Sequence, residues 1–366
     1  MKAYHSLFIL FLFFSINGNA QFRKYSNEFL NIGAGARGLA MGSAQSASVN
    51  DGTAGYWNPA GLVNVQSNVQ VNLMHSEYFA GIGKYDFANV TLPTANQKRS
   101  IGVTALRFAV DDIMNTLFLV EPDGSLNYNN IQPFSSADYA FLLSYAQKLK
   151  TSEHKNVNFG INAKVIHRGV GHFAKAWGFG LDAGLQIRQG LWQFGIVGKD
   201  ISTTFNTWSF SFTDKEKEVL YLTKNDIPVK STEMTSPRLV LAAGKTFPMG
   251  KKSRLLAETN LDVTFDGKRN TVVSADPVSV DPKLGLEYAY KDVFFLRGGI
   301  NNFQKALADG DTLNQKKVWI YQPSVGVGFR VGSVVVDYAF ANLANQSNPL
   351  FTHVFSLRAD LGRRKK

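Results

Sequence analysis

From about residue 68 to its end the chain repeats one pattern, hydrophobic residues at every second position in runs of about ten. In 176–188 one face collects Trp177, Phe179, Leu181, Ala183, Leu185 and Ile187, and the other Gly178, Gly180, Asp182, Gly184, Gln186 and Arg188. In 254–265 the faces are Leu255, Ala257, Thr259, Leu261, Val263 and Phe265 against Arg254, Leu256, Glu258, Asn260, Asp262 and Thr264. A helix would scatter these residues around its axis, whereas a strand sorts them. The runs fall at 68–79, 84–93, 99–110, 137–149, 156–169, 176–188, 191–199, 236–247, 253–265, 283–291, 293–300, 323–332, 333–341 and 352–361, which makes fourteen. The connections add a second regularity. Those after even-numbered runs are short, down to Gln189-Gly190 and the single Asp292, while every long one (111–136, 200–235, 266–282, 301–322, 342–351) follows an odd-numbered run. A transmembrane barrel that starts from the periplasmic side requires this parity, and a soluble β-sandwich does not.

Alternation alone does not say which face is inside. A barrel of about eight strands fills its interior with side chains, but fourteen strands enclose more space than these apolar residues can pack. The apolar faces must therefore point outward into lipid, and with no water to satisfy backbone groups there, the sheet must close on itself. The predicted fold is all-β: a 14-stranded antiparallel transmembrane β-barrel. Trp177, Trp192, Tyr145 and Tyr290 fall near strand ends, where interfacial girdles sit. Inward faces carrying Asp182, Arg188, Arg254, Glu258, Asp262, Glu287 and Arg297 predict a polar lumen. Composition agrees: 28 Phe, 13 Tyr, 5 Trp, 32 Gly and only 18% charged residues suit a β-rich chain, and the absence of Cys removes thiolate, iron–sulfur and cysteine–zinc chemistry.

The first 66 residues read differently. Lys2, the apolar stretch Ser6–Ile16 and the small residues Gly18 and Ala20 form an export signal, 1–20, with cleavage expected before Gln21. Residues 21–66 lose the alternation and become rich in Gly, Ala, Ser and Asn. A segment this uncharged, neither long helix nor strand, is best placed in the lumen as a hatch, ahead of a barrel domain at 67–366. Gly33-Ala34-Gly35-Ala36-Arg37-Gly38 matches G-x-G-x-x-G, with Asp51 eighteen residues after Gly33. Dinucleotide binding would need a preceding strand and a βαβ unit, which the sequence lacks, so a close-packed turn is expected.

The stretch Gly33–Leu62, GAGARGLAMG followed by SVNDGTAGYWNPAGL, resembles the PorV/PorQ family of Bacteroidetes outer-membrane proteins, relatives of the FadL-type fatty-acid transporters. The resemblance is most specific at Arg37, Met41, Gly42, Asp51, Trp57, Asn58, Pro59, Ala60, Gly61 and Leu62. It implies that the Asn-Pro-Ala turn lies in a hatch. It also implies a location in the outer membrane and a role in type IX secretion, with an SprA-type translocon or the C-terminal domains of secreted cargo proteins as partners. The basic end Gly362–Lys366 departs from the aromatic ending common in outer-membrane barrels.

Chemistry is sparse. His167 and His172 are the only close histidines and lack further ligands, Asp309-Gly310-Asp311 lacks the Glu that completes a calcium loop, and no G-x-S-x-G elbow occurs. The reading is non-enzymatic, with no cofactor and no metal. Lys98-Arg99, Lys148, Lys251-Lys252 and Arg363–Lys366 sit beside predicted periplasmic turns, where they meet anionic lipid head groups, and are not arranged for nucleic acid. The predicted 36-residue loop 200–235 sets Phe205, Trp208, Phe210 and Phe212 beside a charged run and is the candidate partner-binding loop. Two functions are open: an outer-membrane component of protein secretion, or a FadL-like channel for hydrophobic molecules. The polar lumen argues mildly against the second.

Overall fold

The structure, a computed structural model, describes residues 21–22, 26–94, 96–121, 123–228, 230–307, 316–342 and 351–362. The export signal 1–20, the Asp309–Asp311 motif and the basic Arg363–Lys366 lie outside the described residues.

Among the described residues fourteen antiparallel strands form one closed sheet. They are β1 (Val69–Tyr78), β2 (Gly83–Pro93), β3 (Arg99–Asn115), β4 (Gln132–Thr151), β5 (Lys155–Val170), β6 (Ala174–Gln189), β7 (Trp192–Lys199, continued by Thr204–Phe210), β8 (Lys230–Thr235, continued by Arg238–Met249), β9 (Ser253–Thr264), β10 (Ser279–Tyr290), β11 (Phe294–Leu307), β12 (Lys317–Val331), β13 (Val334–Ala341) and β14 (Thr352–Leu361). Each pairs with the next, and β14 closes on β1 from His353↔Glu77 to Leu361↔Val69. Two short pieces sit outside this count: Gln21–Phe22, parallel to the first part of β8, and Val273–Ser274 against β10.

The alternation sorts as physics requires. Val103 is 54% exposed while Thr104 beside it is fully buried, and Leu143 is 58% exposed beside a buried Ser144. In register, Leu73, Ala88, Ala105, Phe141, Val165 and Phe179 follow one another around the outer wall, so the apolar set forms a belt with no free edge. The connections keep their parity: those after even strands are 94–98, 152–154, 190–191, 250–252, 291–293 and 332–333.

The belt makes a depth-dependent prediction. Leu143→Arg at mid-belt should weaken folding into lipid vesicles by about 2–4 kcal/mol, whereas Val331→Arg at the turn end of β12 should cost roughly 0–1 kcal/mol. Urea titration of vesicle-inserted protein measures both. Equal costs at the two positions would contradict the belt.

The structure corrects the expected 36-residue loop at 200–235. Thr204–Phe210 keeps pairing with β6 and Lys230–Thr235 pairs back on it, so the wall rises past the belt as a hairpin. The helix α3 (Asp214–Leu222, numbered after two short helices nearer the N-terminus) sits at its tip. Between the halves of β7, Asp200–Thr203 bulges out of the ladder and Asp200 and Thr203 take positive φ, while Ser236-Pro237 interrupts β8 opposite. Strands β3, β4, β11 and β12 also run further toward the long loops than the periodicity shows. Above the lipid both faces of a strand meet water, so no alternation marks it.

Candidate functional site: the segment inside the barrel and the vestibule above it

Residues 26–66 lie inside the ring, folded as short helical turns: Glu28–Asn31, α1 (Ala36–Ala40), α2 (Ala54–Trp57) and the 3-10 helix Pro59–Asn64. Local chemistry dictates these pieces. Gly33 and Gly35 take φ of +109° and +84°, a turn that side-chain-bearing residues resist, and α1 starts directly after it. The G-x-G-x-x-G match is thus a turn into a five-residue helix, and the element directly before it is the 3-10 turn Glu28–Asn31. Asn58, extended as the residue before proline must be, caps Pro59–Asn64 by accepting from Ala60 N at 3.2 Å. Trp57 Nε1 donates to Ala34 O at 2.7 Å and Tyr56 Oη to Leu30 O at 2.7 Å, tying the two halves together. Leu39, Val49, Trp57, Leu62 and Val63 form a small core that merges with inward Met74, Tyr85, Phe87 and Leu106 of the wall.

The wall receives this segment in two ways. The first is bare backbone. Gly160 and Gly184 face each other on β5 and β6, as do Gly285 and Gly299 on β10 and β11. A Cβ at Gly160 would lie 2.3 Å from Ala60 N, at Gly184 2.2 Å from Asn58 Oδ1, at Gly285 2.5 Å from Met41 O, and at Gly299 2.1 Å from Gly42 N. The second is charge. Arg37 donates to Glu287 at 2.8 and 3.3 Å and also reaches Gln45 and Ser48; Glu287 accepts from Arg297 at 2.8 Å, and Arg297 donates to Asp337 at 2.7 Å. Gly328 makes room for this chain, since a Cβ there would lie 2.1 Å from Asp337. Burial of the Arg37 guanidinium costs hydration, and its two hydrogen bonds to the Glu287 carboxylate offset that cost. Arg358 pairs with Asp51 at 3.2 Å, Glu258 accepts from Ala47 N at 2.7 Å, and Lys199 lies 4.4 Å over the Tyr56 ring.

Of the residues singled out from sequence, Arg37, Asp51, Trp57, Asn58, Pro59, Ala60 and Gly61 therefore sit together in one buried assembly, each with a definite contact. Gly61, for example, packs where a Cβ would lie 2.6 Å from Val49 O. The inward acids and bases do not line an open passage. Asp182 and Asp200 flank Lys164 at 2.7 and 2.5 Å, Glu258 and Glu287 bond the inner segment, and Arg254 pairs with Asp292 at the turn end. The polar-lumen argument against an apolar ligand loses its basis, because these charges anchor the segment or one another. Sequence reasoning missed the receiving glycines, Arg297 as a linker and Asp337. The visible signal was glycine at inward positions of adjacent runs.

Above the segment, on the long-loop side, a cavity of about 670 Å³ opens. Its lining combines apolar Phe29, Ile32, Leu39, Phe108 and Tyr78 with charged Asp138, Arg168, Arg238, Asp262, Arg269 and Lys283. These charges are paired: Arg168 with Asp138 at 2.9 Å, and Lys283 and Arg238 with Asp262 at 2.8 and 3.5 Å. Such a mixed vestibule suits a small apolar or amphipathic molecule.

The four aromatic residues proposed as a binding surface, Phe205, Trp208, Phe210 and Phe212, do not share one. Phe205 faces outward, 46% exposed, beside Phe179. Trp208 points inward and is buried under Arg168, 5.1 Å from its ring, and Phe210 stacks between Trp208 and Phe212. At the hairpin tip, Thr213 and Glu216 cap α3 reciprocally, and His172 Nε2 lies 2.7 Å from Glu216. Burial works to raise the Glu216 pKa, but the Thr213 N–H and His172 outweigh it and hold the carboxyl below its usual range. A depressed folded pKa stabilises above the unfolded value of 4.5, and that stability is lost as pH falls through the folded value. Amide exchange in 214–222 should therefore quicken below that range relative to the barrel, and Glu216→Gln should abolish the difference.

No protein-family model matches the chain, and no curated protein is similar to it. Among solved structures, the fold is similar to the CymD monoaromatic hydrocarbon channel, with TM-score 0.55 and 13% identity over 90% of this chain and 98% of that one. It is also similar to the toluene transporter TbuX of Ralstonia pickettii (0.55, 12%, 90% and 98%) and the toluene transporter TodX of Pseudomonas putida (0.54, 12%, 90% and 98%). At these identities the likeness is one of fold: a closed 14-strand antiparallel barrel.

Proposed function

We propose that this chain is a non-enzymatic outer-membrane channel that admits small apolar or amphipathic molecules through the vestibule, with residues 21–66 as a hatch that must shift for passage. The observation that carries this reading is the half-apolar cavity directly above the segment, in a fold shared with hydrocarbon channels. Purified protein titrated with toluene and with a medium-chain fatty acid tests it. Binding should occur, and Phe108→Glu should weaken it roughly tenfold or more, since a half-buried aromatic contact in the cavity lining is lost to a charge. Absence of binding to either probe would reject the reading.

The second reading is the type IX role that the resemblance at Gly33–Leu62 implies, with an SprA-type translocon or cargo as partner. The hairpin tip favours it, because Tyr221 and Leu222 stand 78% and 70% exposed on α3. Co-purification of a very large barrel or of secreted proteins from detergent-solubilised membranes, lost in Tyr221→Asp/Leu222→Asp, would support it. Wild-type protein that emerges with no partner would count against it.

A further inference from the structure

The outer wall carries a polar cluster at a level where its neighbours are aromatic. The register joins Phe355, His75, Asp86, Arg107, Tyr139 and His167 in one row on consecutive strands. His75 Nδ1 lies 2.7 Å from Asp86, Arg107 donates to Asp86 at 3.1 Å, and Glu77 lies 3.4 Å from His75. All four side chains remain 37–51% exposed on a wall that otherwise faces lipid. One rung toward the turns, Ala88 and Ala105 face each other between Leu73 and Phe141. The sheet is bare there over two strands, with about 14 Å between the flanking backbones. A notch of about 670 Å³ opens under the cluster, walled by Leu73, Phe141, Phe355 and Leu357.

Charges this close to hydrocarbon are tolerated at the interface and costly below it, so the cluster marks head-group level and the notch lies at acyl level. The cluster presents both signs side by side. A purely anionic head group would meet Asp86 and Glu77, and a purely cationic one would meet Arg107. A phosphoethanolamine head carries phosphate and ammonium together and complements both. We propose that this face is a docking site for a phosphoethanolamine lipid: its phosphate on Arg107, its ammonium on Asp86 and Glu77, and an acyl chain in the Ala88–Ala105 notch. The site lies outside the barrel and is independent of what passes through the lumen.

Native mass spectrometry of full-length, delipidated protein exposed to equal phosphatidylethanolamine and phosphatidylglycerol tests this. Phosphatidylethanolamine should be retained preferentially. Arg107→Ala should erase that preference, and Ala88→Leu, which fills the notch, should cut retention of both lipids, with heat-modifiable mobility showing that both variants fold. Equal retention of the two lipids by wild type, or retention unchanged in both variants, would overturn the proposal. So would an Ala105→Cys cross-link in membranes that captures a protein and no lipid.

Discussion

Glu287→Ala is expected to release the inner segment while leaving the barrel standing. The carboxylate is the shared acceptor of Arg37, from the segment and 15% exposed, and of the buried Arg297, from the wall. Removing it leaves Arg37 without a carboxylate partner while Arg297 keeps Asp337, and breaking a largely buried pair in this way costs up to about 3–5 kcal/mol. The loss falls on the docked state of the segment, because the ladder between β10 and its neighbours uses backbone groups only. The variant should keep its heat-modifiable mobility, gain protease cleavage within 26–66 and show raised conductance in planar bilayers. Glu287→Gln, which keeps the acceptor oxygen, should fall between. A variant with wild-type protease resistance and conductance would show that the ion chain does not hold the segment.

The second large effect comes from adjacent glycines with opposite duties. Gly299 faces inward, where a Cβ would sit 2.1 Å from Gly42 N, against backbone that cannot step aside. Gly298 beside it has nothing nearer than 4.0 Å. Gly299→Ala should therefore displace the Met41–Gly42 stretch at a cost of about 1–3 kcal/mol or more, and Gly298→Ala should be close to neutral. The same protease assay reads both. If the two substitutions behaved alike, the close approach of segment to wall would be wrong.

These two predictions mark the boundary of what the sequence discloses. Lipid must face apolar side chains, so β1 to β14 announce themselves by alternation, and their short and long connections announce the sidedness. Above the belt that pressure disappears, which is why the hairpin at 204–235 read as a loop, and why Phe205 and Trp208 read as one surface although successive strand positions send them to opposite faces. The composition of 21–66 pointed to the lumen because a segment so poor in charge and periodicity has no other sheltered place. Which wall residues it touches depends on register between distant strands, and no local pattern encodes that. Glu287, Arg297 and Asp337 meet only because β10, β11, β12 and β13 align them across the opening that Gly328 leaves. The inward charges therefore looked like the lining of a wet channel, when each is held by the segment or by another wall residue.

The absence of native cysteine makes the central claim directly measurable. Single cysteines at Ile101, Val103 and Ala105, alternating with Ser100, Thr104 and Leu106, can be spin-labelled in protein reconstituted into lipid vesicles. The outward set should be accessible to oxygen dissolved in the bilayer and shielded from a water-soluble nickel reagent, and the inward set should be shielded from both because the segment fills the space behind it. A period-two profile of the opposite phase, with Val103 protected in a dry centre and Thr104 open to solvent, would contradict the account.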